Sequence, residues 1–254
     1  MTLSYSDFDQ HLIDDDLGLF TQQRMTAFGK AAIDIANDPD FDQWSFSAKI
    51  RYCMLQQVTA GQERRTQKLL KASQTPHPEA CIEELRYLPN RNINRELISR
   101  IAQCQWIDKG NNLIIIGSTG VGKTYLAEAL INQACRKNYS ALFTRVDDLQ
   151  AQLAIWGEES EQRYKLLKNL KRVDLLVLDD FLTTEINTTT ASIILNVLAA
   201  REQTASTLVT SQFGAHDWYK SISDAVLAES ILGRLIGGAE TIELNGPNLR
   251  IQQQ

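Results

Sequence analysis

Hydrophobic residues follow two different patterns along this 254-residue chain, and the pattern changes near residue 110. Before that point apolar residues recur every three or four positions, as in the series Phe46, Ile50, Met54 and Val58, which predicts helices. After it, short unbroken apolar runs alternate with longer amphipathic stretches, as in parallel strands joined by helices. The chain is therefore predicted to combine a helical amino-terminal part with an α/β carboxyl-terminal part.

The helical part contains four predicted helices and one polar, proline-containing connector at 72–78. The helices lie at about 17–35, from Ser45 or Ser47 to about 71, at 79–88 and at 93–105. A domain boundary is expected between about 72 and 92. The division that follows is a helical domain at 1–75, linker helices at 76–110 and an α/β core at 111–254.

The first strand of the α/β part leads into a glycine-rich loop. Residues 113–116 form an apolar run, and the next eight match the phosphate-binding pattern G-x-x-x-x-G-K-[ST]: Gly117, Ser118, Thr119, Gly120, Val121, Gly122, Lys123 and Thr124. In such a loop backbone N–H groups and a helix N-terminus surround polyphosphate. Lys123 is predicted to reach the β- and γ-phosphates, and the Thr124 hydroxyl to ligate Mg²⁺. The alternative is a turn that matches by chance, but a strand before the loop and a helix after it favour a nucleotide site.

Beyond the loop, strands and helices alternate. Strands are predicted at 141–144, 173–178, 206–212 and 241–244, and helices at about 147–156, 158–172, 188–203 and 225–236. The second of these strands ends in Asp179 and Asp180, the Walker B pattern, 56 residues after Lys123. Asp179 is predicted to belong to the Mg²⁺ shell, and Asp180 to be the general base for the water that attacks the γ-phosphate. By itself, an apolar run followed by two aspartates often marks only a strand end.

Two further polar positions are candidates for the same site. Ser211 or Gln212, at the carboxyl end of the strand at 206–212, is expected to bind the attacking water or the γ-phosphate. The alternative for both residues is an ordinary polar strand end. Arg234 lies in the last predicted helix, where the simplest interpretation is a surface arginine.

Charge is unevenly distributed in a chain whose net charge is −5. Residues 1–42 carry nine acids and two bases, a net charge of −7, whereas residues 43–106 carry ten bases and five acids, a net charge of +5. Within the basic segment Arg64, Lys68 and Lys71 share one helical face, and Arg65 lies beside them. This stripe is either a solvated surface or a phosphate-binding one.

Several classes of function find no support in the sequence. The four cysteines are widely spaced, which favours reduced thiols over disulfides or zinc ligands. Neither an H-E-x-x-H nor a G-x-S-x-G motif occurs. Because no 18-residue apolar run and no charged-then-apolar leader is present, we expect a cytoplasmic protein that makes no use of a membrane.

These motifs, in this order, resemble those of AAA+ ATPases of the DnaC and IstB branch. The resemblance is closest to IstB-like helper ATPases encoded beside transposases, and it covers roughly residues 20–250. It rests on the phosphate loop and on the segments LLVLDDF at 175–181, TLVTSQF at 207–213, HDWY at 216–219 and ILGRL at 231–235, with Glu63-Arg64-Arg65 and Leu69-Leu70-Lys71-Ala72 in the helical leader.

The resemblance implies a fold and a function. The fold is a five-stranded parallel sheet of order 5-1-4-3-2 with helices on both faces, preceded by a small all-α domain. The function is ATP- and Mg²⁺-dependent assembly of several copies on duplex DNA, through backbone contacts, to deliver or select target DNA for a partner transposase. Arg234 matches the arginine that reaches a neighbouring copy's γ-phosphate, and Arg64, Arg65, Lys68 and Lys71 become candidate DNA contacts.

Two alternatives to this function stay open at the level of sequence. One is a replicative helicase loader of the DnaC type, and the other is a nucleotide-switched adaptor without significant turnover. The chain also departs from the wider AAA+ pattern in two ways. Asp180 stands where most AAA+ proteins carry Glu, and no helical lid is expected after the last strand, so that Arg250 is a candidate for the lid's sensor arginine.

Overall fold

The computed structural model describes residues 12–87 and 92–249. The chain divides into two compact units, Met1–Arg65 and Thr66–Gln254, and the division falls inside one long helix, α3 (Phe46–Ser73). Within the described residues no helix has the length and apolar character needed to cross a membrane.

The first unit contains α1 (Leu17–Gln22), α2 (Thr26–Asn37) and the beginning of α3. The predicted single helix at 17–35 is wrong, because the chain is broken at Arg24, whose φ is +61°. The Gln57 side chain stabilises this break: its amide donates to the Arg24 carbonyl at 2.9 Å, and its oxygen accepts from the N–H groups of Ala27 and Phe28 at 3.1 Å. These bonds cap the start of α2 from outside the helix.

A small apolar core lies between α2 and α3 in this unit. Its buried members are Ala31, Ile35 and Cys53. The series Phe46, Ile50, Met54 and Val58 is helical as predicted, yet Phe46, Met54 and Val58 are exposed.

The segment before the sheet differs from its prediction. Where a helix was expected at 79–88, the described residues 79–87 form a 3₁₀ turn at Ile82–Glu84, and residue 88 lies outside the described residues. The helix expected at 93–105 is α4 (Arg95–Ile101) followed by α5 (Gln105–Asp108). Asn94 caps α4 by accepting from the N–H groups of Glu96 and Leu97. Cys104 breaks the helix with a φ of +61°, and the break allows Cys104 and the α5 residue Ile107 to be buried as well.

Five parallel strands form the sheet of the second unit. They are β1 (Leu113–Ile116), β2 (Ala141–Arg145), β3 (Leu175–Asp179), β4 (Ser206–Ser211) and β5 (Glu240–Glu243). Their spatial order is β2-β3-β4-β1-β5, which confirms the predicted order 5-1-4-3-2 counted from the opposite edge. All four pairings are parallel, so the carboxyl ends of the strands meet at one edge.

Helices cover both faces of the sheet. Alternate strand residues face opposite sides, so that Leu176 and Leu178 belong to one apolar cluster, whereas Leu175 and Val177 belong to the other. The first cluster is covered by α7 (Val146–Ile155), α8 (Glu161–Arg172), α9 (Thr188–Arg201) and α11 (Ala225–Ile236), with the short α10 (Ala215–Trp218) beside them; the second is covered by α4, α5 and α6 (Lys123–Arg136). The layered core thus fixes the strand ends that carry the polar motifs.

Candidate nucleotide site at the carboxyl edge of the sheet

The phosphate loop connects β1 directly to α6. Gly122 has a φ of +96° and stands immediately before Lys123, the first residue of α6. A side chain at this φ would be strained, which explains the glycine. The loop N–H groups that precede the helix therefore lie where the helix dipole favours an anion.

Lys123 is buried although its side chain is charged. Its ammonium donates to the carbonyl oxygens of Gly117 at 2.8 Å and Ser118 at 3.0 Å, so the side chain folds back over the loop. Phosphate oxygens are stronger acceptors for an ammonium than these neutral carbonyls are. The loop therefore holds a positive charge where the sequence predicted that phosphate would bind.

Thr124, Asp179 and Thr210 form a second group of contacts at the same edge. The Thr124 hydroxyl donates to Asp179 at 3.0 Å, and the Thr210 hydroxyl donates to Asp179 Oδ1 at 2.6 Å. Burial raises the pKa of Asp179, and the charge of Asp180 raises it further, while the two hydroxyl hydrogen bonds oppose the shift. A divalent cation next to Asp179 would stabilise its ionised form.

The donor set of this group suits Mg²⁺. A threonine hydroxyl and a carboxylate are hard oxygen ligands, which Mg²⁺ prefers. Among the described residues no group of three or more His, Cys, Asp and Glu side chains forms a metal cluster. In nucleotide sites Mg²⁺ commonly takes its other ligands from phosphate oxygens and water.

Asp180 has an unusual backbone and a cationic partner. Its φ is +53°, its N–H donates to the Thr210 hydroxyl at 3.1 Å, and its carboxylate lies 3.0 Å from Arg145 Nη2. Arg145 ends β2 and is paired in register with Asp179. The sequence did not indicate Arg145 or Thr210, because their roles depend on which strand ends are neighbours.

Ser211 and Gln212 have different environments. The Ser211 hydroxyl is fully buried, donates to the Phe181 carbonyl at 2.7 Å and accepts from the Trp218 indole at 3.0 Å. The Gln212 side chain instead accepts from the Thr119 hydroxyl of the phosphate loop at 2.9 Å. Both residues contact the loop, Ser211 through its carbonyl, which accepts from the Gly117 N–H at 3.3 Å, and Gln212 through its side chain.

Arg234 lies at the opposite end of the sheet from the phosphate loop. The Asn112 side chain, immediately before β1, donates to the Arg234 carbonyl at 2.9 Å, whereas the loop begins after β1. Four residues of strand separate the two positions, roughly 13 Å at the usual rise per residue. The structure therefore does not bring Arg234 together with the loop of its own chain.

The Arg234 side chain contacts its own helix and the residue that follows α9. Its Nη1 donates to the Ser230 carbonyl at 3.0 Å, and its Nε lies 3.4 Å from the Glu202 carboxylate, close enough for an ion pair but without hydrogen-bond geometry. About a third of the side chain is exposed.

The candidate DNA-binding residues lie on α3. Arg64, Arg65, Lys68 and Lys71 are all exposed, and Arg64 Nε donates to the Ala60 carbonyl at 3.1 Å. Arg250, the candidate sensor residue, lies outside the described residues.

One buried acid near the site was missed by sequence reasoning. Glu128 lies one helical turn after Thr124, is only 2% exposed, and both its oxygens lie 3.0 Å from His77 Nδ1. Burial raises the pKa of Glu128, while the hydrogen bond and charge of Glu128 raise the pKa of His77. No sequence motif marked this pair, since His77 is 51 residues away in the connector.

Comparison with known proteins gives consistent results. The family described as IstB-like ATP binding protein matches residues 2–254. An insertion sequence ATP-binding protein of Sinorhizobium fredii is 32% identical over 94% of this chain and 95% of its own length. The ATP-binding protein of insertion sequence IS21 from Pseudomonas aeruginosa is 30% identical, over 80% of this chain and 76% of that protein.

Solved structures show similarity in fold. The crystal structure of DnaI superposes with a TM-score of 0.58 at 23% identity, covering 72% of this chain and 100% of that one. The DnaC helicase loader gives a TM-score of 0.55 at 21% identity, covering 66% and 97%. At these identities the likeness concerns the fold of the core alone.

Proposed function

Since the chain belongs to the IstB-like ATP-binding family, as its motifs predicted, we propose that it is a Mg²⁺-dependent ATPase that assembles on duplex DNA and assists a transposase with its target DNA. The observation that carries the proposal is the convergence of Lys123, Thr124, Asp179 and Asp180 at one edge of the sheet. These groups supply a cation, two oxygen ligands and a carboxylate, the set that phosphoryl transfer to water requires.

Lys123 and the loop bind the triphosphate. The Lys123 ammonium exchanges the carbonyls of Gly117 and Ser118 for β- and γ-phosphate oxygens, which are stronger acceptors. Thr124 and Asp179 are the residues that would hold Mg²⁺. Bound there, Mg²⁺ would neutralise charge on the phosphate oxygens.

Asp180 and Gln212 act on the water. The Asp180 carboxylate accepts a proton as the water oxygen bonds to the γ-phosphorus and the bond to the bridging oxygen breaks, giving ADP and phosphate. Arg145 holds that carboxylate in place from the end of β2. Gln212, which contacts Thr119, is positioned to hydrogen-bond the γ-phosphate or the water.

Arg234 acts on the site of a second copy. Its position at the other end of the sheet from its own loop favours contact with the site of a neighbouring protomer. An arginine delivered in this way stabilises the transition-state charge and makes turnover depend on assembly. The weak contact with Glu202 leaves little to be lost when Arg234 engages the neighbour.

Duplex DNA is bound by the exposed basic residues of α3. Arg64, Arg65, Lys68 and Lys71 present four positive charges that neutralise backbone phosphates without reading sequence.

Replicative helicase loading is the second candidate function, which the fold likeness to the DnaC helicase loader favours. A nucleotide-switched adaptor without significant turnover is the third.

Duplex binding tests the choice between the first two functions. We expect affinity for duplex DNA to rise with a non-hydrolysable ATP analogue and to fall with salt. Replacing Lys68 by Ala should reduce the slope of log K against log [salt] by about one, since each phosphate contact contributes about 0.9. Lys30→Ala on α2 is the matched control. ATP-independent or salt-insensitive binding would contradict the proposal and favour a protein partner.

A further inference from the structure

The chain that follows β5 runs along the phosphate loop. Because β5 is the neighbour of β1, both strands end at the same edge, and the Leu244 N–H still donates to the Ile116 carbonyl at 2.8 Å. Leu244 is fully buried, and residues 247–249 are half-buried although they belong to no strand or helix. We call residues 244–249 the C-terminal strap.

The strap contacts Gly117, the first residue of the phosphate loop. The φ of Gly117 is +151°, and a Cβ built on it would lie 2.1 Å from the Leu244 carbonyl oxygen. This distance is shorter than real Cβ contacts, and the Leu244 carbonyl belongs to the backbone, so it cannot move away as the end of a flexible side chain could. Glycine at 117 is therefore required by the strap as well as by the turn.

The strap also contacts Gly120, the fourth residue of the phosphate loop. The Leu249 N–H donates to the Gly120 carbonyl at 2.9 Å. A Cβ on Gly120, whose φ is +83°, would lie 2.1 Å from Asn248 Oδ1 and 2.3 Å from Asn248 Cγ. The Asn248 amide thus lies directly against the backbone that is expected to surround polyphosphate.

We propose that the C-terminal strap is part of the nucleotide site: it holds the first half of the phosphate loop in its binding shape and places the Asn248 amide beside the polyphosphate of a nucleoside di- or triphosphate. The proposal rests on nucleotide binding at this loop. The strap contacts Gly117 and Gly120, whereas hydrolysis depends on Asp179 and Asp180 at the end of β3. The strap therefore controls affinity for ADP and ATP alike and leaves turnover at saturation nearly unchanged.

The coupling between strap and nucleotide is reciprocal. If the strap stabilises the loop shape that binds nucleotide, bound nucleotide stabilises the strap by the same free energy. The Leu249 amide, which donates to Gly120, should consequently exchange hydrogen more slowly when nucleotide is present.

A charge substitution tests the position of Asn248. Asn248→Asp keeps the size of the side chain and places a carboxylate next to phosphate, so we expect affinity for ADP and for a non-hydrolysable ATP analogue to fall roughly tenfold or more. Asn245→Asp makes the same change at an exposed position of the strap and is the matched control. The free protein's melting temperature should be the same for both variants. Equal affinity of the two variants for nucleotide would overturn the proposal.

Replacement of the strap sequence tests the proposal independently of charge. Exchange of residues 246–249 for a Gly-Ser linker of equal length, which keeps Arg250, should weaken binding of both nucleotides, raise KM and leave kcat within about twofold, while deletion of residues 251–254 should change none of these. Unchanged affinity of the linker variant, or a loss of kcat at unchanged affinity, would refute a binding role. If the wild-type protein itself binds no nucleotide, or binds it as well after Lys123→Ala, the proposed function fails rather than the strap alone.

Discussion

The two ends of the central sheet both contain buried charge, but they use it differently. At the amino end, Arg201 is 1% exposed, and it donates to the carbonyls of Leu170, Val173 and Ser206 at 2.5–2.9 Å and to the Thr207 hydroxyl at 3.2 Å. Burial lowers the pKa of Arg201 to about 10. This guanidinium is satisfied by the fold itself and ties the ends of α8, α9 and β4 together.

At the carboxyl end the hydrogen bonds of the buried ammonium are local. Lys123 donates to carbonyls of its own loop, and Asp179 accepts from two hydroxyls while burial raises its pKa. Bonds between distant segments hold the fold together, whereas bonds within a loop can be exchanged for bonds to a ligand. We therefore expect a structural role at the amino end and a binding role at the carboxyl end.

Substitution of Arg201 should have the largest effect, a loss of folding stability. Arg201→Met removes a charged donor from three carbonyls, so we expect the free energy of unfolding to fall by about 3–5 kcal/mol, measured by chemical denaturation. Arg234→Met is the matched change at the half-exposed arginine, and it should cost less than about 0.5 kcal/mol. Equal losses of unfolding free energy in the two variants would contradict the structural role given to Arg201.

Lys123→Ala should show the largest effect on binding. Loss of the ammonium is expected to weaken ATP binding about 100-fold, because charge-assisted bonds to phosphate disappear. Stability without nucleotide should be nearly unchanged, in contrast to Arg201→Met. Lys137→Ala at the other end of α6 is the control in calorimetric titration. Normal ATP affinity of the Lys123 variant would contradict a binding role for the carboxyl end of the sheet.

Asp180→Asn should separate catalysis from binding. Asn tolerates the positive φ at this position, so the substitution removes charge without straining the backbone. We expect kcat to fall by about 10²–10⁴ while ATP affinity stays within a few-fold, measured by steady-state kinetics and direct titration. A variant with wild-type turnover would show that Asp180 is not the base, and a wild-type protein without turnover would favour the adaptor function.

The His77–Glu128 pair should show the smallest effect, as a pH dependence. The fold raises the pKa of His77 above the usual value of 6.5, so protonated His77 stabilises the fold. This stabilisation is fully present below pH 6.5 and is lost as the pH rises through the raised pKa. The stability difference between wild type and His77→Ala should therefore be larger at pH 6 than at pH 8.5. We expect less than about 1 kcal/mol, since His77 is mostly exposed. A difference that grows with pH would contradict the ion pair.

The elements of the core were predictable because their signals are local. The apolar run of β3 ends in Asp179 and Asp180, and the run of β1 ends at the loop, so strand, turn and helix follow from neighbouring residues. The strand order came from the family resemblance and is confirmed. The family itself is confirmed by the full-length match.

The remaining features depend on contacts between distant segments. Arg145 meets Asp180 because β2 and β3 are neighbours, and Gly120 meets Leu249 through the neighbouring ends of β1 and β5. The helix predicted at 79–88 is wrong over the described residues 79–87, where Ala80 and Leu85 are buried in an otherwise irregular segment; tertiary context overrides local preference. Such contacts leave no periodic pattern in the sequence.

The central claim is that the nucleotide bound by one copy is completed by Arg234 of another, and mixing two inactive variants tests it most directly. Asp180→Asn lacks the base and Arg234→Ala lacks the arginine, so each alone should hydrolyse ATP very slowly in the presence of duplex DNA. Mixed in equal amounts they should regain activity, because about a quarter of the interfaces join an intact Asp180 to an intact Arg234. An inactive mixture, or an Arg234→Ala protein that is fully active alone, would contradict the account.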